Sequence, residues 1–487
     1  MSLLDPATWN ARLYSSGWRT GSGGAGAVTE PATGNELAEL GLADESDVAA
    51  ATAAAMVAQR DWAARPYDER AAVLRKAGAL WEQYAADVHE WLIREAGSIP
   101  PKAAVETDIA AQECYEAAAA AALPYGQLLR TPQPPRLSMA VRAPVGVVGV
   151  IAPFNFPLIL AIRSVAPALA LGNAVVLKPD PRTAVSGGFS IARILEEAGL
   201  PDGLLHVLPG GAEVGEAIIR DPAVRVVSFT GSTAVGRRVA ELASQQLKRV
   251  HLELGGNSAL LILDDADLDA AVGLGAWGSW LHQGQICMTT GRHLVPESIA
   301  ADYVDRLAAK ADALPVGDPY TDQVALGPVI DERQRDKIHA LVTGSVEGGA
   351  RLAAGGRYEG LFYRPTVLAD VTEQSPAYAE EVFGPVAPVR SYGSVDDVLR
   401  MAQDSAYGLS VGIVTQDVMR GWEIAQQIPS GIVHINDQTV NDDATAPFGG
   451  VGDSGTGARF GGADANIDAF TDTRWVTMRG TPPAYPF

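Results

Sequence analysis

Cys287 is the residue of this 487-residue chain whose setting best suits chemistry. It lies in the run GQICMTTGR (284–292), where glycine on both sides and paired threonines indicate a turn. A cysteine on a turn can be reached by a substrate, and its thiolate is a nucleophile. The alternative is a small buried hydrophobic residue, which most lone cysteines are. Cys114, in an alanine-rich stretch, is predicted to be only a packing residue.

Two further side chains have the chemistry of a general base and of a hydrogen-bond donor. Glu253 ends an apolar run in HLELGGN (251–257), and partial burial there would raise its pKa and suit it to base catalysis. Its alternative is a solvated carboxylate at a strand end. Asn155 lies in the rigid turn PFNFP (153–157), where its amide could hold a developing oxyanion. Its alternative is to satisfy the backbone of that turn.

A glycine-containing turn and a lysine could bind phosphate or ribose. The run FTGSTAVG (229–236) follows an apolar segment and opens a helix. Glycine lets backbone N–H groups approach a phosphate, and a helix N-terminus favours negative charge. The spacing is not that of the usual dinucleotide fingerprint. Lys178, before Pro179, is a second candidate, with a solvated surface lysine as the alternative.

The elements that must position these residues follow an α/β pattern. Short apolar runs alternate with helix-length segments from residue 145, which predicts parallel strands with helical crossovers. In such sheets ligands bind beyond the carboxyl ends of the strands. A second alternating block, 260–450, predicts a second α/β domain. Residues 46–122 predict helices, with Ser46 as the first N-cap. Residues 474–478 predict a terminal strand without a local partner, which would pair with another subunit.

Composition excludes several classes of protein. The chain has 37 basic and 58 acidic residues, a formal net charge of −21, so nucleic-acid binding is not expected. Its two cysteines cannot form a disulfide framework or a four-cysteine zinc site, and a reducing cytoplasm fits best. The uncharged stretch 143–162 contains three prolines, so we predict a buried strand and a turn there rather than a membrane span.

Seven motifs, in order, make the chain resemble the aldehyde dehydrogenase superfamily from about residue 30 to its end. They are PFNFP (153–157), LKP (177–179), FTGSTAVG (229–236), LELGG (252–256), GQICMTTGR (284–292), EVFGPV (381–386) and PFGGVGDSGTG (447–457). The resemblance implies a Rossmann-type cofactor domain, an α/β catalytic domain and a small β oligomerisation element. The implied bounds are 1–122 with 144–254, then 255–450, then 123–143 with 470–487.

The resemblance also implies roles for individual residues. Cys287 matches the nucleophile, Glu253 the general base and Asn155 the oxyanion donor. Positions that hold the dinucleotide match Ile151, Phe154, Lys178, Gly211, Gly215, Phe229, Gly231, Ser232, Val235, Glu381 and Phe383. The implied reaction oxidises an aldehyde to the carboxylic acid through a thiohemiacetal and a thioester, and requires no metal. The presence of Glu253 favours hydrolysis of the thioester over transfer to coenzyme A.

The cofactor prediction includes both NAD and NADP. NAD-selective members place a glutamate three residues after the lysine of the KP motif, where its charge would repel a 2′-phosphate. Here that position is Pro181, and Arg182 is adjacent. We therefore expect the chain to use either dinucleotide.

The substrate prediction is an aromatic aldehyde. The stretches 163–188 and 288–293 resemble the benzaldehyde and vanillin dehydrogenase branch, and Phe156 is expected to line an apolar pocket. The alternative is an aliphatic aldehyde or semialdehyde, whose distal carboxylate would need a cation such as Arg163. A non-catalytic binding or structural role is disfavoured because nucleophile, base and amide are all retained. A homodimer or homotetramer is expected.

Overall fold

Two seven-stranded sheets and a three-stranded sheet form the framework of the protein, whose computed structural model describes residues 2–487. The strands are β1 (Leu13–Ser15), β2 (Trp18–Arg19), β3 (Ala25–Thr29), β4 (Glu36–Gly41), β5 (Gly126–Leu129), β6 (Leu137–Pro144), β7 (Val147–Ile151), β8 (Ala174–Lys178), β9 (Leu205–Val207), β10 (Val224–Thr230), β11 (Arg249–Glu253), β12 (Ser258–Ile262), β13 (Thr290–Pro296), β14 (Arg351–Ala354), β15 (Tyr358–Glu359), β16 (Phe362–Tyr363), β17 (Thr366–Ala369), β18 (Val386–Tyr392), β19 (Tyr407–Gly408), β20 (Ser410–Val414), β21 (Ile432–Ile435), β22 (Val451–Gly452) and β23 (Thr471–Met478).

Helices connect and cover the strands. They are α1 (Pro6–Trp9), α2 (Glu45–Ala64), α3 (Tyr67–Gln83), α4 (Ala85–Ala96), α5 (Pro100–Ala120), α6 (Pro157–Ala170), α7 (Ser190–Ala198), α8 (Ala212–Arg220), α9 (Thr233–Ser244), α10 (Leu268–Trp280), α11 (Ala300–Ala313), α12 (Glu332–Glu347), α13 (Pro376–Ala379), α14 (Val395–Gln403), α15 (Val418–Ala425) and α16 (Ala463–Phe470). Two 3-10 turns (Pro181–Thr183 and Leu281–Gly284) and a π-helical turn (Val185–Phe189) complete the set.

The first sheet has the order β11-β10-β7-β8-β9-β1-β2, and its five strands from β7 to β11 run parallel. The strands β7 and β8 are valine-rich and almost wholly buried, as expected for a sheet covered on both faces. Register brings their last residues together, with Ile151 opposite Lys178 and Phe229 opposite Ile151. Thr230 similarly lies opposite Glu253. The predicted open α/β sheet is therefore present, and its carboxyl edge gathers the candidate residues.

The second sheet has the order β14-β17-β18-β13-β12-β20-β21 and is parallel except at β14. It confirms the predicted second α/β block. The predicted domain boundary at residues 254 and 255 stays a prediction. That boundary falls between β11, the last strand of the first sheet, and β12 of the second sheet.

The small sheet has the order β23-β6-β5 and contains the predicted terminal strand at one edge. This strand has a partner within its own chain, because β23 pairs antiparallel with β6 from Thr471 opposite Pro144 to Met478 opposite Leu137. The partner is distant in sequence, since β6 precedes β23 by most of the chain, and the other side of β23 is an edge of the sheet, so pairing with another subunit stays a prediction.

Two other local predictions have clear outcomes. The first long helix is capped by Asp44, not Ser46: the Asp44 side chain accepts from the backbone N–H groups of Ser46 and Asp47, and Asp47 returns the bond in a capping box. Residues 143–162 form the end of β6, all of β7 and the first turns of α6. None of the helices in residues 2–487 combines the length and apolar content needed to cross a bilayer.

Candidate active site

Cys287 lies on the loop between the turn Leu281–Gly284 and β13, at the wall of a cavity that Asn155 also lines. Its side chain is partly buried. Burial above all, and then the carboxylates of Glu381 and Glu253, raise the pKa of the Cys287 thiol to about 12. The resting thiol is therefore neutral near pH 7, and its proton must leave when the sulfur attacks.

The backbone before Cys287 follows a path that few sequences adopt. Three consecutive residues, His282, Gln283 and Gly284, have left-handed φ angles of 48°, 56° and 65°. The Gln283 amide holds this turn by donating to the carbonyls of Gly97 at 2.9 Å and Pro328 at 2.7 Å. Left-handed non-glycine residues persist only where surroundings enforce them, so this loop is shaped by its partners.

Asn155 follows β7 at the carboxyl edge of the first sheet and is buried. Its amide nitrogen donates to the carbonyl of Gln285 at 2.8 Å. The Gln285 side chain in turn accepts from the Ile330 backbone N–H at 3.0 Å. An amide has two hydrogens, so this bond orients the side chain and leaves the second hydrogen for another acceptor. The turn therefore presents a directed donor next to the nucleophile loop.

Glu253 ends β11, as the sequence predicted, and is buried. Both of its carboxylate oxygens are buried, and neither finds a hydrogen-bond partner among residues 2–487. Burial raises the pKa of this carboxyl well above its usual range. A carboxylate with a raised pKa and free oxygens has the properties of a general base.

The paired glycines after Glu253 let three segments meet. A β-carbon on Gly255 would lie 2.4 Å from a Glu381 carboxylate oxygen, and one on Gly256 would lie 2.3 Å from the Cys287 carbonyl. The Gly256 N–H also donates to Glu381 at 3.0 Å. Burial raises the pKa of Glu381 to about 7. A side chain at Gly256 would clash with backbone, and one at Gly255 would displace the Glu381 carboxylate, so these glycines let the Glu253 strand approach the nucleophile loop and Glu381.

Lys178, the lysine predicted to bind ribose or phosphate, lies at the carboxyl edge of the first sheet. It ends β8 and is buried, and burial lowers its pKa. Its ammonium has no hydrogen-bond acceptor within residues 2–487, so its donors are available. Gly215 faces it, since a β-carbon there would lie 3.6 Å from the lysine side chain. Gly211 occupies the N-cap position of α8.

The remaining cofactor candidates lie at the same edge or face it. Ser232 caps α9, with its hydroxyl accepting from the Val235 N–H at 3.4 Å. A β-carbon on Gly231 would lie 2.5 Å from the ring of Phe229, so glycine is required there. Phe383, in a left-handed conformation with φ of 53°, meets Phe154 edge to face at 5.9 Å.

Arg182 is committed to other partners. Its guanidinium donates to both Asp180 oxygens at 2.9 and 2.7 Å, and to Asp331 at 2.5 Å. It also lies over the Phe154 ring at 4.4 Å. Three of the five N–H donors of Arg182 thus bind carboxylates.

The cavity in front of Cys287 has a volume of about 340 Å³ and mostly apolar walls. The apolar residues come from α5, α6, α10, the turn Leu281–Gly284 and three loops: Pro101, Val105, Ile109, Phe156, Ile159, Leu160, Trp277, Leu281, Ile286, Met288, Val440 and Phe448. Phe156 lines it, as predicted. Arg163 does not belong to this wall: it pairs with Asp442 and lies over the Phe448 ring at 4.6 Å.

Sequence reasoning missed several residues that shape the site. Gln283 and Gln285 hold the nucleophile loop, and a buried pair, Lys102 and Glu106, supports the turn that carries Asn155. The glutamines carry no signal in the sequence. The pair did carry one, because a lysine and a glutamate four residues apart stand out in an alanine-rich helix.

Fold and site together define an oxidoreductase with a cysteine at the wall of its pocket. The chain belongs to the aldehyde dehydrogenase family, whose model matches residues 18–476. Its relatives include a vanillin dehydrogenase of an Amycolatopsis species, 64% identical over 100% of both chains. A benzaldehyde dehydrogenase [NAD(+)] of Pseudomonas putida is 48% identical over 98% of each chain. The crystal structure of a salicylaldehyde dehydrogenase from Pseudomonas putida G7, complexed with salicylaldehyde, is 35% identical with a TM-score of 0.94, covering 98% of this chain and 99% of that chain.

Proposed function

We propose that this chain oxidises aromatic aldehydes to carboxylic acids with NAD or NADP, through a thiohemiacetal and a thioester on Cys287. The observation that carries the proposal is the meeting of Cys287 and Asn155 at one largely apolar cavity of about 340 Å³. Planar aromatic substrates favour such walls. The names of the vanillin, benzaldehyde and salicylaldehyde dehydrogenases among its relatives support the same substrate class.

Attack on the aldehyde is the first step. The Cys287 sulfur bonds to the aldehyde carbon, and the carbonyl oxygen becomes an oxyanion. The free hydrogen of the Asn155 amide and the Cys287 backbone N–H stabilise that charge. Because burial raises the pKa of the thiol to about 12, the thiol passes its proton to a water molecule as the carbon–sulfur bond forms.

Hydride transfer and then hydrolysis of the thioester complete the reaction. When bound, the dinucleotide accepts the hydride that converts the thiohemiacetal to the thioester. Glu253, once ionised, removes a proton from water, and the resulting hydroxide attacks the thioester carbon. The carbon–sulfur bond then breaks, the carboxylic acid leaves, and the Cys287 thiolate takes the proton that Glu253 removed from water. The unpaired oxygens of Glu253 support this role, since they are free to bind that water.

The carboxyl edge of the first sheet fits a dinucleotide. Lys178 has a largely buried side chain whose ammonium has no acceptor in the described chain, and α9 opens on the Ser232 cap. Glu381 offers a carboxylate for a ribose hydroxyl. Pro181 provides no carboxylate to repel a 2′-phosphate, which supports use of NADP as well as NAD. Because Arg182 is bound to Asp180 and Asp331, we assign the phosphate contact to Lys178.

The position of Arg163 favours an aromatic substrate over a semialdehyde. A distal carboxylate would need an unpaired cation facing the cavity, and Arg163 instead pairs with Asp442 behind the wall. We also propose a cytoplasmic location, a homodimer or homotetramer, and the domain bounds that the family resemblance implies. The positions of β11, β12 and the small sheet support those bounds.

One kinetic panel tests the substrate and cofactor proposals together. Benzaldehyde, vanillin, hexanal and succinic semialdehyde are each assayed with NAD and with NADP. We expect kcat/KM for the aromatic aldehydes to exceed that for the aliphatic ones by at least about tenfold, or about 1.4 kcal/mol. The Cys287→Ala variant is the control, and it should form no reduced cofactor with any aldehyde.

Two results would contradict parts of the proposal. Higher kcat/KM for hexanal or succinic semialdehyde would overturn the aromatic substrate class. A preference above about a thousandfold for one dinucleotide, roughly 4 kcal/mol, would overturn dual cofactor use.

A further inference from the structure

A buried ion pair lies beneath the turn that carries Asn155. Lys102 and Glu106 occupy successive turns of α5, and their side chains are only 1% and 0% exposed. Removing two charges from water is costly unless each finds several good partners. A pair this deeply buried is therefore expected to have further hydrogen-bond partners.

The partners lie at both ends of the Asn155 turn. Lys102 Nζ donates to the Asn155 backbone carbonyl at 2.7 Å, and it lies over the Phe156 ring at 4.2 Å. Glu106 accepts from the backbone N–H groups of Leu158 at 3.1 Å and Ile159 at 3.4 Å, in the first turn of α6. The pair thus holds the Asn155 carbonyl, before α6, and the backbone N–H groups of Leu158 and Ile159, within its first turn.

Lys102 is also part of the cavity wall, which raises the question of direct contact with a substrate. An ammonium has three hydrogens. Here Glu106 and the Asn155 carbonyl each accept one, and the ammonium packs on the face of Phe156. These contacts account for its donors, so the role of Lys102 is exerted on the turn.

We propose that Lys102, held by Glu106, is a positioning residue that aims the Asn155 amide at the oxyanion. This inference rests on the proposed role of Asn155 as oxyanion donor. The side chain of Asn155 is tethered at its amide by Gln285, at 2.8 Å, and its backbone is tethered by Lys102. Stabilisation of an oxyanion depends steeply on donor placement. Loss of the hydrogen bond from Lys102 to the Asn155 carbonyl would let the Asn155 amide move, and kcat would fall.

A double-mutant cycle tests the coupling between Lys102 and Asn155. Kinetics with benzaldehyde are measured for the wild type, Lys102→Met, Asn155→Ala and the double variant. We expect Asn155→Ala to lower kcat by about a hundredfold. Lys102→Met should lower kcat by about tenfold with KM changed by less than about threefold. In the Asn155→Ala background the same lysine change should cost less than about twofold, because its target is gone.

Matched variants separate positioning from stability. Lys248→Met is the control, because Lys248 also donates to two backbone carbonyls, of Ile219 and Asp221, but lies outside the cavity wall. It should leave kcat unchanged. If Lys102→Met fails to fold because Glu106 is left unpaired, the variant Lys102→Met/Glu106→Gln carries the same cycle without a buried charge.

The outcomes separate failure of the positioning role of Lys102 from failure of the oxyanion role of Asn155. Equal losses from Lys102→Met in both backgrounds, or no loss in the wild-type background, would overturn the positioning role alone. Unchanged kcat in Asn155→Ala would overturn the oxyanion role of Asn155, and the positioning role with it.

Discussion

At the scale of single residues, the proposed role of Glu253 as general base makes a testable prediction about how the reaction ends. Its oxygens have no hydrogen-bond partner in residues 2–487, and burial raises its pKa well above the usual range. We expect Glu253→Gln to attack aldehyde and transfer hydride once, then stall as the thioester. Stopped-flow absorbance should record a burst of about one reduced cofactor per active site, followed by a steady rate lowered at least about a hundredfold.

The pH dependence of the steady rate has a defined sign. Because burial raises its pKa, Glu253 stays protonated to a higher pH than an ordinary glutamate, and the protonated carboxyl cannot accept a proton from water. Hydrolysis of the thioester in the wild type should therefore accelerate as the pH rises through the pKa of this group. The residual rate of Glu253→Gln should lack that rise. Full turnover by the variant would mean that another group activates the water.

The positions of the three proposed catalytic residues at the ends of elements could be predicted from sequence, because each belongs to a short motif with an evident turn. Cys287, Glu253 and Asn155 all lie at or near the ends of elements, where side chains can be presented to a ligand. The residues that hold them could not be predicted in the same way. Gln283 and Lys102 act on backbone carbonyls far away in sequence, and only the folded chain brings them together.

At the scale of elements, the left-handed turn before Cys287 depends on Gln283. Its amide satisfies the carbonyls of Gly97 and Pro328, which belong to separate segments. In Gln283→Leu both carbonyls lose a donor, at a cost of about 1–3 kcal/mol for each buried group. We expect a lower Tm in thermal unfolding and a kcat lowered by about tenfold or more, because the nucleophile loop relaxes.

A second glutamine provides the matched control for this loop. Gln403 also donates to a backbone carbonyl, that of Gln427 at 2.8 Å, but on the exposed surface. Gln403→Leu should change neither Tm nor kcat appreciably, since water replaces the lost bond. Similar effects from both variants would contradict the special dependence of the loop on Gln283.

Elements with strong local patterns were predictable, and those fixed by distant contacts were not. The valine-rich composition of residues 147–151 and 174–178 is enough to predict buried strands there. The strand β23 is equally clear as a strand, but its partner β6 is not, because pairing across most of the chain leaves no local signal. The cap of α2 was misplaced by two residues, because Ser46 and Asp44 are both good N-caps.

At the scale of the whole molecule, the small sheet presents an apolar face. Cross-strand partners point to the same side of a sheet. The pairs Leu128–Met139, Met139–Val476 and Leu137–Met478 therefore place these five residues on one face. Three of them, Leu128, Leu137 and Met478, are exposed at 73%, 38% and 50%. A contiguous apolar face of this kind is typical of a surface that another subunit covers, which supports the proposed homo-oligomer.

Substitution on that face should weaken assembly, while substitution beside it should not. Leu128→Glu places a charge among the apolar residues, and loss of about 1.5–3 kcal/mol per copy corresponds to roughly a ten- to hundredfold weaker association. Gln127→Glu is the control, because Gln127 neighbours Leu128 on β5 but points to the opposite face. Light scattering coupled to gel filtration at micromolar concentration should find the wild type and Gln127→Glu as dimer or tetramer, and Leu128→Glu as a smaller species. A monomeric wild type, or equal assembly of both variants, would show that this face does not hold subunits together.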